Sequence, residues 1–365
     1  MEDTAESRGT PIAPPPPQVG VCVLNWNGWR DTLECLDSLL KQNYPNCLAM
    51  VVDNHSHNES VEKVRSWAKT HLGDLGFADY TGKVARAGGE ESAEASLGAG
   101  QSRDRVVLIR NEENAGFTGG CNVAIEYALN RKDPVEYVFL LNNDATVEPD
   151  CLTRLMEAAK ESGAGIIGAV MRDESGRESI FSGRISMRSL FFTPIVEWEL
   201  PPPATEKDYW PTDCAHGGAM AIRSDVLRAV RAQTGECLRS GLFMYHEGTE
   251  FHYHAARLGY HAVVAKQAVV YHKNAASSGG TENPIAYYYS ERNRILVANV
   301  VLPLGWKILF HLVNSFLVGA RIVKNAVRRK WVAVRAIVEG WADAYRGRQG
   351  KWRRHDEQRP SDRAA

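Results

Sequence analysis

The chain lacks the two glycine motifs that mark the commonest nucleotide-binding folds. No Gly-x-Gly-x-x-Gly follows its first apolar run and no Gly-Lys-Ser/Thr occurs in its loops, which argues against a dinucleotide-dependent dehydrogenase and a P-loop nucleotidase. It has seven cysteines but no Cys-x-x-Cys pair and no zinc-type spacing, so the thiols read as reduced, intracellular and mostly structural. An unbroken apolar run is missing too. Residues 295–323 are largely apolar, but Pro303, Gly305, Lys307, His311 and Asn314 interrupt them, so a segment lying in a membrane interface, or a core helix, is expected rather than a spanning one. Net charge is nearly absent, at −1. That balance hides a tail in which eleven Lys and Arg from Arg321 to Arg354 face only Glu339 and Asp343, a distribution that suits an anionic membrane surface. No nucleic-acid partner is expected. Residues 1–18 hold neither a basic start nor an apolar stretch and end in Pro14-Pro15-Pro16-Pro17-Gln18. They read as a disordered Pro-rich leader to a domain kept in the cytoplasm, peripheral at the inner face of the cell membrane.

What is present, in 365 residues that are 44% hydrophobic and 24% charged, is enough for a sizeable core. From Val19 short apolar runs alternate with helical patterns. Val21-Cys22-Val23-Leu24, Leu48-Ala49-Met50-Val51-Val52, Val106-Val107-Leu108-Ile109 and Tyr137-Val138-Phe139-Leu140-Leu141 each precede a stretch with helical spacing. Continuous apolar strands separated by helices predict an α/β fold with a mostly parallel sheet covered on both faces. Residues 81–105, rich in Gly, Ala, Ser and Glu, show no period and read as a flexible surface insertion. The expected organisation is a main domain over 19–280 and a helical, basic C-terminal region over 281–365.

In an open parallel sheet ligands bind beyond the carboxyl ends of the strands, so the residues there carry the search. They are Asn25-Trp26-Asn27-Gly28, Asp53-Asn54-His55-Ser56, Asn114-Ala115-Gly116-Phe117-Thr118-Gly119-Gly120-Cys121-Asn122 and Asn142-Asn143-Asp144. Asp53 is suited to accept from ribose hydroxyls or a base N–H; equally, Asp caps helices. The glycine-rich segment opens a helix whose N–H groups favour a phosphate, or it is a tight turn. Asp144 can hold a hard divalent cation with few protein ligands, or it ends an Asn/Asp turn. Further on, Phe243-Met244-Tyr245-His246-Glu247-Gly248-Thr249-Glu250-Phe251 sets two carboxylates and a histidine before a helical pattern that runs to Arg257. Glu247 and Glu250 are three apart, so they are either a solvated acidic face or a pair kept for proton transfer or cation binding.

Taken in order, these segments resemble the motifs of family 2 glycosyltransferases, in particular a rhamnosyltransferase-like branch. The likeness runs from about Val19 to His272, and the segments 287–294 and 340–351 resemble that branch's membrane-associated tail. It implies a GT-A fold, with a Rossmann-like mostly parallel sheet, and a nucleoside diphosphate sugar donor. It also implies Mg²⁺ or Mn²⁺ as cofactor and a glycan or polyprenyl-linked acceptor in cell-surface polysaccharide synthesis, with dTDP-rhamnose the donor suggested. By the same likeness Asn25, Asn27, Asp53, Asn54, Asn114, Gly116, Phe117, Gly120, Asn122, Asn142 and Asn143 border the donor, and Asp144 and His272 face the metal. On spacing alone His272 reads as a satisfied strand-end histidine. Two departures stand out. Asn142 takes the place where a first metal-binding aspartate is common, and Gly248 takes the place where the second of two acids serves as base. The proton acceptor is then expected at Glu247, with Glu250 second. A catalytically silent nucleotide-sugar-binding member of an assembly complex is the alternative.

Overall fold

A computed structural model describes residues 15–73, 75–99, 105–173, 175–180, 182–184, 197–199, 206–273 and 283–353. The expected leader, Pro201-Pro202-Pro203 and the end of the basic tail fall wholly or largely outside these residues.

Among the described residues the central sheet has eleven strands. Its first half is β1 (Val19–Asn25), β2 (Cys47–Asp53), β3 (Phe77–Thr81), β4 (Val106–Arg110), β5 (Tyr137–Asn142) and the short β6 (Ala145–Val147). β7 (Ile166–Arg172), β8 (Glu178–Ile180), β11 (Tyr209–Thr212), β12 (Ala219–Arg223) and β13 (Ala262–His272) complete it, while β9 (Ser182–Arg184) and β10 (Glu197–Glu199) pair apart. The order along the main path is β11-β13-β7-β12-β5-β1-β2-β4-β3. From β5 to β3 every pair is parallel, as the continuous apolar runs predict. β12, however, runs antiparallel to both β5 and β7. The run Ala219-Met220-Ala221-Ile222 is buried throughout, and a strand buried on both faces carries no mark of its direction in its pattern.

Helices cover both faces. Val19, Val21 and Val23 join one core with residues of α1 (Trp29–Leu39), α2 (Ser60–Leu72) and α6 (Cys151–Ser162). Cys22 joins the other, with α5 (Gly116–Asn130), α7 (Ser224–Thr234) and α8 (Glu247–Arg257). α5 is the central helix and its glycines are there for closeness: a Cβ on Gly120 would stand 2.3 Å from Leu24 Cδ1. The stretch read as irregular, 81–105, instead contains α3 (Gly82–Arg86) and α4 (Glu91–Ala99), beside an edge strand β3 that the pattern did not predict. Ala85 and Leu97 bury into the core, and Glu94 pairs with Arg131 at 2.8 Å. Helices this short and this rich in small residues leave no legible period.

The C-terminal region is helical, as expected, in α9 (Pro284–Val301), α10 (Leu304–Val327) and α11 (Trp331–Tyr345). α9 packs on the main domain and on α11, where a Cβ on Gly340 would meet the Tyr288 carbonyl at 2.4 Å. α10 differs from the expectation of an interrupted segment. It is long and apolar enough to cross a membrane by length and composition, with mean hydropathy 1.3, because Pro303 falls at its start and the polar residues inside it do not stop the helix. Its outer face exposes Leu304, Ile308, Leu312, Phe316 and Val323.

Candidate active site

The parallel register brings the polar strand ends to one edge: Asn25 lies opposite Asp53, Asp53 opposite Arg110, and Leu24 opposite Asn142. There the asparagines hold each other. Asn25 is buried, donates to Asp53 Oδ1 at 2.7 Å and to Ser56 Oγ at 3.2 Å, and accepts from Gly28 N and Thr32 Oγ1. Asn54, also buried, donates to Asn114 Oδ1 and the Gly116 carbonyl and accepts from Asn111 Nδ2 and Ala115 N. Asn27 accepts from His57 N, and Asn143 donates to Thr32 Oγ1. Asn122 is tied to the Leu238 main chain at both ends of its amide, and to Ser240 Oγ. The amides of Asn25, Asn54 and Asn122, expected to border the donor, are thus paired within the protein, since a buried amide left unpaired is costly. Asp53 keeps one oxygen on Asn25 and one on Ser56 N, at 3.0 Å.

The start of α5 is likewise engaged. Gly116, at φ +72°, lets Phe243 approach, and Thr118 N donates to the Phe243 carbonyl at 3.2 Å while Gly116 N donates to Asn114 Oδ1. These two amides are therefore capped by protein instead of presented to a phosphate. Phe117 packs partly buried against the same core.

The second group sits where β6 pairs with the end of β13, which sets His272 opposite Ala145 and so beside Asp144. His272 Nε2 stands 3.0 Å from Asp144 Oδ1 and 3.0 Å from Asn142 Nδ2. One ring nitrogen can accept from the amide or donate to the carboxylate, not both. The nitrogen and the carboxylate are a donor pair that would suit a divalent cation whose remaining ligands come from diphosphate and water, with the Asn142 amide then giving up its hydrogen bond to the ring. Among the described residues, no three His, Cys, Asp or Glu gather as a metal site of their own.

The third group faces it across two glycines. A Cβ on Gly218 would lie 2.6 Å from the Asn142 amide, and one on Gly217 would lie 3.3 Å from Glu247 Oε1. Glu247 is the first residue of α8, and its Oε2 is buried with no hydrogen-bond partner. Burial lifts its carboxyl from the usual 4.5 to about 7. Glu250 is placed differently: Arg239 Nη1 reaches both its oxygens at 3.4 Å, and the same guanidinium opposes the rise that burial imposes on its pKa. The loop that delivers Glu247 is strained, with Phe243, Tyr245 and His246 all at φ between +67° and +68°.

Sequence reasoning missed His216, whose Nδ1 accepts from Gly218 N at 3.2 Å. Burial, and then His272 nearby, push its imidazole down to about 4. A histidine followed by two glycines at the mouth of a buried strand, His216-Gly217-Gly218, was the available signal. It also missed Arg239, the partner that separates Glu250 from Glu247.

The glycosyl transferase family 2 model matches residues 89–231. The low-salt glycan biosynthesis hexosyltransferase Agl10 of Haloferax volcanii is 24% identical over 266 residues, 72% of this chain and 83% of that protein. Among solved structures, the mannosyltransferase PcManGT from Pyrobaculum calidifontis, in complex with GDP-Man and Mn²⁺, superposes with a TM-score of 0.50 at 16% identity, covering 92% of this chain and 90% of its own. GalNAc-T7 with UDP, GalNAc and Mn²⁺ gives 0.54 at 15% identity, with 78% of this chain matched to 48% of that one. The fold is that of the GT-A glycosyltransferases.

Proposed function

We propose that this chain, whose residues 89–231 match the glycosyl transferase family 2 model, moves a hexose from a nucleoside diphosphate sugar to a hydroxyl of a glycan or polyprenyl-linked acceptor, with inversion. The observation that carries this reading is Glu247 Oε2, buried and unpartnered beside Gly217 and Gly218, with Asn142, His272 and Asp144 on the far side of the same two glycines.

The donor lies along the carboxyl ends of β1, β2 and β5, with Asp53 toward the nucleoside and Asn114, Phe117 and Asn143 along its border. Asp144 and His272 would hold Mg²⁺ or Mn²⁺, which when bound offsets charge on the departing diphosphate. Glu247 takes the proton of the acceptor hydroxyl as that oxygen bonds to the anomeric carbon. The bond to the diphosphate breaks on the opposite face, and the nucleoside diphosphate leaves. A carboxyl poised at about 7 matches what general-base catalysis near neutral pH requires. Arg239 reaches both oxygens of Glu250, so that carboxylate is engaged in an ion pair where Glu247 Oε2 is not.

Two features favour a peripheral position at the inner face of the membrane. The exposed apolar face of α10 and the basic residues that follow it offer burial and attraction to anionic headgroups together. Cell-surface polysaccharide synthesis is the setting in which such an acceptor arises, and the order of the sequence motifs makes dTDP-rhamnose the first donor to try.

The full chain incubated with Mn²⁺ and a panel of UDP-, GDP- and dTDP-sugars tests the proposal. One donor should raise the melting temperature by mass action and be turned over to nucleoside diphosphate, with the product's anomeric configuration inverted by proton NMR. No donor binding across the panel, or a retained configuration, contradicts it.

A further inference from the structure

The loop from Leu242 to His246 contains three of the six non-glycine residues with positive φ among the described residues. Such conformations cost free energy and persist only where the surroundings impose them. What imposes them here is α9. The Asn293 amide shares its two N–H groups among the carbonyls of Leu242 at 2.9 Å, Met244 at 2.7 Å and Tyr245 at 3.0 Å. The adjacent Arg292, fully buried, donates through its two Nη atoms to Gly241 at 3.2 Å, Leu242 at 2.8 Å and Gly350 at 2.6 Å. Its Nε donates to Asn293 Oδ1 at 2.9 Å, which fixes the direction of the asparagine amide. Tyr289 stacks on Phe243 with ring centroids 5.2 Å apart.

Charged and amide side chains without exposure are rare and expensive in a helix that only packs. Here the Asn293 amide and one Nη of Arg292 are spent on main-chain carbonyls between Gly241 and Tyr245, on the approach to Glu247, while the other Nη holds Gly350 and Nε holds Asn293 in place. We infer that Asn293 and Arg292 are positioning residues that clamp the 242–246 backbone and thereby aim the Glu247 carboxylate at the acceptor hydroxyl. The inference rests on the reading of Glu247 as base. It makes the C-terminal helical layer part of the catalytic unit and not only an attachment. The same layer reaches α10 through the Arg321–Glu291 ion pair at 3.1 Å.

The test uses the full chain with Asn293→Asp, which keeps the shape and removes the donors, together with Arg292→Lys, which keeps the charge and loses the fork. Two readouts are taken: amide hydrogen exchange of the peptide spanning 242–248, and steady-state transfer with the donor that the wild type uses. The clamp predicts faster exchange in that peptide, by about tenfold or more, with β1 and β5 unchanged. It also predicts a kcat lowered by about 10²-fold, with donor KM within about threefold. If Asn293→Asp does not fold, Arg292→Lys must show the same split in weaker form. Unchanged exchange in the variants overturns the clamp whatever the activity. Faster exchange with unchanged turnover overturns the positioning role. Normal turnover by Glu247→Gln would strike the base assignment itself, and that result is read independently of either clamp variant.

Discussion

Replacing Glu247 with Gln should stabilise the protein while disabling it. The folded state holds this carboxyl at about 7 against an ordinary 4.5, through burial of an oxygen that nothing pairs. For an acid whose pKa is raised by folding, the ionised form is the destabilising one. No cost exists below about pH 4.5, where both states are protonated; it grows as pH climbs from there to about 7 and is constant above. The full difference corresponds to roughly 3 kcal/mol at pH 8. For a chain of this length, whose unfolding entropy scales with residue number, that amounts to a melting temperature higher by roughly 4 °C in the variant. Differential scanning calorimetry of wild type and Glu247→Gln from pH 4.5 to 8, without donor, gives the comparison. The two curves should meet at the acid end and diverge to the variant's advantage through pH 7. A variant less stable than wild type at pH 8, or a gap independent of pH, would show that the carboxylate is satisfied in the fold and would refute the reasoning.

Three other outcomes are expected. Gly218→Ala puts a methyl 2.6 Å from the Asn142 amide and should weaken Mn²⁺-dependent binding of the nucleoside diphosphate by about tenfold through the displaced Asn142–His272 contact, measurable by titration calorimetry. Chelation by EDTA should abolish transfer, and Asp144→Ala should weaken donor binding; full activity in EDTA would mean that protein cations offset the leaving charge. Leu312→Asp with Phe316→Asp, at positions 68% and 77% exposed, should release the chain from phosphatidylglycerol vesicles while leaving its melting temperature within about 1 °C; unchanged sedimentation with vesicles would rule out α10 as the contact.

The strand ends were legible in the sequence, and the hydrogen bonds among the residues there were not. Asn25, Asp53 and Asn142 stand at strand ends because a buried parallel strand has to end where polar residues begin, and that change is visible in any one sequence. The helix from Glu247 to Arg257 was also legible, from its spacing and from the Gly259 that follows it. The partners of the asparagines were not. Asn54 meets Asn114 across 60 residues and Asn122 meets Leu238 across 116, and no local pattern records a contact made by the fold. The choice between Glu247 and Glu250 depended on Arg239, eight residues before Glu247 on a different element. The strain at Phe243, Tyr245 and His246 was invisible because residues with large side chains normally avoid positive φ, and the asparagine that enforces it lies on a helix whose sequence suggests only packing. Direction was lost at β12, since burial on both faces erases the alternation that would have revealed an antiparallel neighbour.

The most direct test of the account is the pH dependence of transfer by wild type beside the turnover of Glu247→Gln, with the same donor and acceptor. For the wild type, kcat/KM should rise through about pH 7 as the buried carboxyl ionises. The variant should bind donor as the wild type does and turn over about 10²–10⁴-fold more slowly at every pH. Turnover by Glu247→Gln near the wild-type rate, with the same limb near pH 7, would contradict the claim that this carboxylate takes the acceptor's proton.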